Sequence, residues 1–235
     1  MNLPLCDAHL HIFDSEVGSL VQYQAVQALL GLRRAVVVQP RAYGIDNRVT
    51  LDAIVRLGID CTRGIAVVHP DISTAQLEAM HEGGIRGVRM SLYTAAHAAV
   101  SFDMLAPLAH KIKALGWHLQ LHWTADQIAQ HASSLLTLPV PVVFDHMARL
   151  PTSATVHHPA FAVVQELLKR GDAWLKLSGA YLCTEQDEPQ STRYSDVQNL
   201  ARTLVALAPD RVLWGSDWPH VTEVHAKPDT RMLFD

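Results

Sequence analysis

Leu5-Cys6-Asp7-Ala8-His9-Leu10-His11-Ile12, residues 5–12, is an apolar run interrupted by polar side chains two apart, the repeat of a β-strand. His9 and His11 therefore leave one face of one strand. Comparable short apolar runs at 35–39, 64–68, 87–91, 118–122, 140–145, 174–178 and 211–215 make eight strands in all. Segments of helical period lie between them at 20–30, 47–57, 74–81, 102–115, 125–136, 161–169 and 195–207, several opened by Asp, Ser or Thr. Gly31, Gly58, Gly116 and Gly171 stand where a helix gives way to the next strand.

This alternation suits either a closed (β/α)8 barrel or an open doubly wound sheet. The positions of the polar residues favour the barrel. They fall at the C-terminal ends of the runs: His9 and His11, Gln39, Arg89 and Ser91, His122, Asp145 and His146, Lys176 and Ser178, then Asp217. In a barrel those ends meet around one mouth, whereas an open sheet strings them along an edge. The expected fold is an α/β barrel, one domain over residues 1–235.

Bulk composition narrows the function. Apolar residues are 49% and charged residues 18% of the chain, with net charge −4, and no dense Lys/Arg run is present. Both features argue against a nucleic-acid surface, so small molecules or further copies of the chain are the expected partners. Cys6, Cys61 and Cys183 are widely spaced and form no CxxC pair, so neither a disulfide framework nor a thiolate metal site is expected. The start carries no secretory signal and no run approaches a membrane span, which points to the cytoplasm.

His122 ends the fifth run and His146 follows the sixth, so four imidazoles face one mouth together with Asp217. His118, deeper in the fifth run, receives no catalytic role. Neutral imidazoles plus one carboxylate are a ligand set for zinc, and a catalytic zinc keeps one position open for water whose pKa it lowers to about 7. The ligands expected are His9, His11, His122 and Asp217 around one divalent ion, with Asp217 also taking the proton of water. His146 orients that water or stabilises the tetrahedral intermediate.

Seven stretches then carry a resemblance: DAHLHIFD, VVVQPRAYGIDN, GIRGVRMSLY, GWHLQLHW, PVVFDHMARLP, WLKLSGAYL and RVLWGSDWPH, in order from Asp7 to about His220. The chain resembles the amidohydrolase-related TIM-barrel hydrolases that include 2-pyrone-4,6-dicarboxylate hydrolase and sugar or muconolactone lactonases. The resemblance implies water attack on a lactone carbonyl with Asp217 as general base, His146 as the sixth-strand histidine, and Arg89 gripping a substrate carboxylate. Ser91 beside it, and Lys176, Ser178 and Tyr181 of the seventh-strand motif, join it as expected substrate contacts, with a salt bridge the other reading of Lys176.

Departures from that family bear on substrate and metal. The pyrone-dicarboxylate branch is metal-free, with a tyrosine where His122 stands here and further arginines for a second carboxylate; residues 94–99 contain none, and Ala180-Tyr181 replaces another. A monocarboxylate or sugar lactone and a single metal are expected accordingly, with a metal-free mechanism the alternative. Arg89 occupies the region that two-metal relatives use, which argues against a binuclear centre. The segment 14–23 is short for the family, and few residues follow Asp217, so a truncated final helix is expected. Amide hydrolysis, decarboxylation of a related cyclic acid, or a non-catalytic trimmed barrel are the competing readings.

Overall fold

The computed structural model describes residues 5–94, 96, 98–186, 194–223, 225 and 227–234, so Ala95 and His97 of the arginine-free segment lie outside the described residues. Strands Cys6–Leu10 (β1), Arg34–Val38 (β2), Thr62–Ala66 (β3), Ile85–Ser91 (β4), His118–His122 (β5), Val142–Phe144 (β6), Ala173–Leu177 (β7) and Val212–Trp214 (β8) follow one another around one sheet in chain order. Each neighbouring pair from β1–β2 to β7–β8 is parallel, which makes this the expected (β/α)8 barrel.

Helices Leu20–Leu30 (α1), Arg48–Leu57 (α2), Thr74–Glu82 (α3), Leu105–Ile112 (α4), Ala125–Gln130 (α5), Ala132–Leu135 (α6), Pro159–Arg170 (α7), Ala180–Cys183 (α8), Ser195–Leu207 (α9) and Thr230–Phe234 (α10) alternate with them. Ser19, Ser73 and Thr124 close capping boxes with Gln22, Gln76 and Gln127, which sets the starts of α1, α3 and α5 in the sequence itself. Two expected helices are cut down. The 102–115 segment is α-helical only over α4: at its start Pro107 has no N–H to give the carbonyl of residue 103, and at its end 113–115 tighten into a 3-10 turn closed by left-handed Gly116. The 125–136 segment breaks at His131, whose ring stacks on Phe102 at 4.2 Å. A short α10 does follow β8, its Phe234 ring set edge-on against Trp214. Among the described residues no helix is long and apolar enough to cross a membrane.

The site depends on the seam between β1 and β8. These strands share no ladder; they are joined by the bridge Leu10 to Trp218, with Asp217 N donating to His9 O and His11 N donating to Trp218 O, both at 2.8 Å. The β1–β2 register slips between Asp7 and Leu10. This irregularity turns Asp7 out to Tyr23 of α1 while Ala8 lines the inner floor of the barrel. The buried Asp7 carboxylate accepts from Ser216 N, Ser216 Oγ, His9 N and Tyr23 Oη, so it stitches β1 to the chain leaving β8.

Gly215 allows the approach, since a Cβ there would lie 2.6 Å from His9 Cβ and 2.9 Å from His9 N. Gly215→Ala is therefore expected to lower unfolding free energy by about 1–3 kcal/mol, the range for forcing atoms into a packed site. Urea denaturation measures it, and an unchanged midpoint would show that the seam yields without cost.

Candidate active site at the barrel mouth

His9 Nε2, His11 Nε2 and Asp217 Oδ1 converge at the mouth end of the seam. The imidazole nitrogens are 3.4 Å apart, and the carboxylate oxygen is 3.4 Å from His9 and 3.6 Å from His11. All three residues are buried. A tetrahedral ion with bonds of about 2.0–2.1 Å needs donors spaced by little more than 3 Å, and these three meet that spacing. Their outer contacts also prepare them. His11 Nδ1 lies 2.8 Å from Val38 O, which can only accept, so the proton sits on Nδ1 and the Nε2 lone pair faces the mouth. His9 Nδ1 lies 3.2 Å from Asp145 Oδ1 and 3.3 Å from Lys176 Nζ, so its inner edge is held by buried charges while Nε2 faces the mouth.

His122 does not join this trio. Its Nδ1 is 3.0 Å from Ser91 Oγ, its ring stacks on Tyr93 at 5.1 Å, and it meets the His146 ring edge-on at 5.1 Å. His146 stands nearer, its ring centroid 4.8 Å from that of His9 and its Nδ1 2.9 Å from Ser178 Oγ. Ser91 and Ser178 thus orient imidazoles.

Beneath the mouth lies a buried charge cluster. Asp145 Oδ2 accepts from Arg89 Nε at 3.3 Å and from Gln120 Nε2 at 3.1 Å; Lys176 Nζ donates to Gln120 Oε1 at 2.7 Å, 3.6 Å from Asp145 Oδ1. Burial pushes the Asp145 carboxyl up, but its partners His9, Lys176 and Arg89 outweigh this and hold it well below the usual range. Burial brings Lys176 down to about 8 against the pull of Asp145. Asp217 behaves like Asp145: burial raises it, and His146, then His11 and His9, hold it well below. Burial pushes Tyr181 far up, with the Asp217 charge adding to it, so its phenol stays protonated.

A cavity of about 310 Å³ opens over this arrangement, lined by His11, Arg89, His122, His146 and Asp217. Lys176 is absent from its lining and faces the barrel floor instead, where it lines a second cavity with His118 and Gln120. Tyr181 and Ser178 are likewise absent from the mouth lining, while Arg41 and Arg149 belong to it. The sequence offered little signal for these two arginines, since each lies in a loop beyond its strand. Arg149 closes a turn in which His146, Met147, Ala148 and Arg149 all have φ between 49° and 57°. Left-handed backbone in four successive non-glycine residues is costly, and it carries Arg149 over the Tyr93 ring, 4.2 Å from its centroid, with Nη2 2.6 Å from Tyr93 Oη.

A family profile described as Amidohydrolase matches residues 6–235, a span that takes in every strand of the barrel. The chain belongs to the amidohydrolase family. This amidohydrolase is 36% identical over 232 residues to 4-sulfomuconolactone hydrolase of Hydrogenophaga intermedia, a match covering 91% of this chain and 74% of that protein. It is 33% identical over 252 residues to 2-pyrone-4,6-dicarboxylate hydrolase of Comamonas testosteroni, covering 97% and 81%. A crystal structure from Agrobacterium tumefaciens shares the fold with TM-score 0.88 at 23% identity, over 98% of this chain and 84% of that one.

Two expectations follow for the amidohydrolase cluster. Asp145→Asn leaves Lys176 and Arg89 without their buried carboxylate and is expected to lower stability by about 3–5 kcal/mol, measured by urea denaturation. Stability is also expected to fall as pH drops from 7 to 5. Burial lowers the imidazoles of His9, His122 and His146, and takes His118 and His220 down to about 4, whereas the unfolded chain protonates near its ordinary 6.5. The unfolded state then binds more protons below about 6.5, and this contribution shrinks as pH falls. Asp7, pushed up to about 6 by burial, works in the opposite direction but is one group against five. Unfolding midpoints that match at both pH values would contradict this.

Proposed function

We propose that this protein hydrolyses a small lactone carrying acidic substituents, by attack of water on the ester carbonyl with Asp217 as the base. The observation that carries the reading is a single carboxylate oxygen, Asp217 Oδ1, held beside two imidazole nitrogens under a cavity that three arginines line. The lactone hydrolases among its relatives support the reaction class.

In this reading His9, His11 and Asp217 hold one divalent ion, zinc by the nitrogen and oxygen character of the donors, with His122 on the cavity wall. Bound there, the ion lowers the pKa of a water to about 7. Asp217 Oδ1 accepts the proton of the attacking water and returns it to the ring oxygen as the C–O bond breaks, so that the ring opens to a hydroxy acid and Asp217 is again a carboxylate. His146, its Nδ1 occupied by Ser178, presents Nε2 to the developing oxyanion. Arg89, fixed through Nε by Asp145, grips one carboxylate of the substrate, and Arg41 and Arg149 supply positive charge for a second acidic group near the rim. A doubly acidic lactone therefore fits better than the monocarboxylate that the loop sequence suggested. Residence in the cytoplasm belongs to the same proposal, supported by Cys6, Cys61 and Cys183 as free thiols.

Asp217→Asn is expected to lower kcat by about 10²- to 10⁴-fold, the usual share of a general base. Arg41→Gln is expected to raise KM about tenfold for a doubly acidic lactone, the size of one lost charged hydrogen bond, and to spare a singly acidic one. A panel of lactones and cyclic amides tests both, and robust amide cleavage with no lactone turnover would replace this reading with C–N hydrolysis. Elemental analysis of protein purified without chelators tests the ion, and full activity after its removal would leave Asp217 as base without one.

A further inference from the structure

Tyr181 follows Gly179 (φ 61°) at the start of α8, and its hydroxyl donates to Asp217 Oδ2 at 2.6 Å. The two oxygens of that carboxylate therefore have separate duties, Oδ1 toward His9 and His11 and Oδ2 toward Tyr181. Behind Tyr181 stands His220, its Nδ1 3.3 Å from the Tyr181 oxygen and its Nε2 2.9 Å from Thr230 Oγ1. Counting protons gives this series a direction. A carboxylate only accepts, so the single phenolic hydrogen goes to Asp217; the phenolic oxygen must then accept from His220 Nδ1–H, and Nε2 accepts from Thr230. Every donor in the series points toward Asp217.

Two further facts bear on what the series does. Asp217 has φ 56° and His220 φ 58°, left-handed conformations for residues with side chains, so the local backbone needs support from elsewhere to hold the carboxylate. The neighbouring Leu182 lines the mouth cavity, and Tyr181 does not.

We infer that Tyr181 is a positioning residue: backed by His220 and Thr230, it fixes the Asp217 carboxylate so that Oδ1 alone faces the histidines, rather than contacting substrate. The inference rests on the reading of Asp217 as base and ligand. Outer partners of this kind typically carry a 10–100-fold effect on metal affinity or activity.

Tyr181→Phe keeps the ring and removes only the donor. It is expected to lower kcat 10–100-fold with KM within about twofold, and to weaken Zn²⁺ binding, read by competition with a chromophoric chelator, by a similar factor. Because Tyr181 acts through Asp217, the substitution should add nothing to either quantity in an Asp217→Asn background. Thr230→Val, at the far end of the series, should move both in the same direction by less. A rise in KM with kcat preserved would make Tyr181 a substrate contact and overturn the inference. An undiminished effect of Tyr181→Phe in the Asp217→Asn background would overturn it too, as would a crystal structure of Tyr181→Phe with the carboxylate unmoved. If the unaltered protein turned over no lactone, the functional reading would fall, while the Zn²⁺ competition and the crystal structure would still decide the role of Tyr181.

Discussion

The contact between β1 and the chain leaving β8, made across Gly215, is the constraint on which the rest of the site depends. His9 and His11 stand on one side of that seam and Asp217 on the other, so their spacing is set by how closely two backbones approach. Two features hold the approach. A missing side chain at Gly215 lets β8 lie against His9, and the Asp7 carboxylate, 0% exposed, collects donors from both sides. A buried carboxylate without such donors would be strongly destabilising, so closing the seam requires these hydrogen bonds.

The middle of the barrel is polar where a barrel core is ordinarily apolar and layered. Asp145, Lys176, Arg89, Gln120 and His9 share one network, and each member is buried. Such a network contributes little net stability, because desolvation offsets most of the attraction between its charges. Its consequence is geometric: it orients His9 by Nδ1 and Arg89 by Nε and leaves the working ends of both at the mouth. Strain is placed nearby, in the left-handed turn from His146 to Arg149, and that turn brings a guanidinium over the cavity. Rigidity below and strain above are two ways of fixing the few groups that must not wander.

The electrostatic character of the cavity narrows the substrates that suit it. Arg41, Arg89 and Arg149 line a space of about 310 Å³ in which burial pushes His122 and His146 toward their neutral forms and the one carboxylate, Asp217, is occupied by its neighbours. Arg89 has its buried partner in Asp145, which leaves Arg41 and Arg149 as the positive charge of the cavity toward the acidic substrate proposed above.

The alternation of apolar runs and helical segments was enough to place eight strands, because strand and helix periods are local properties and serine or threonine caps mark their starts. His9, His11, His146 and Asp217 were also legible, since residues at the C-terminal ends of barrel strands must meet at one end. The partner of each side chain was not. Lys176 breaks an apolar run just as Arg89 does, yet it faces the floor and not the mouth, because the level of a residue in the barrel depends on the stagger between strands. Arg41 and Arg149 sit in loops whose path follows from backbone conformations that no periodicity encodes. Sequence by itself determined that His9, His11, His146 and Asp217 would gather at the mouth; tertiary structure alone decided which other groups join them and which touch, because contacts between residues as distant as Asp7 and Ser216, or Tyr181 and Asp217, exist only once the seam has closed.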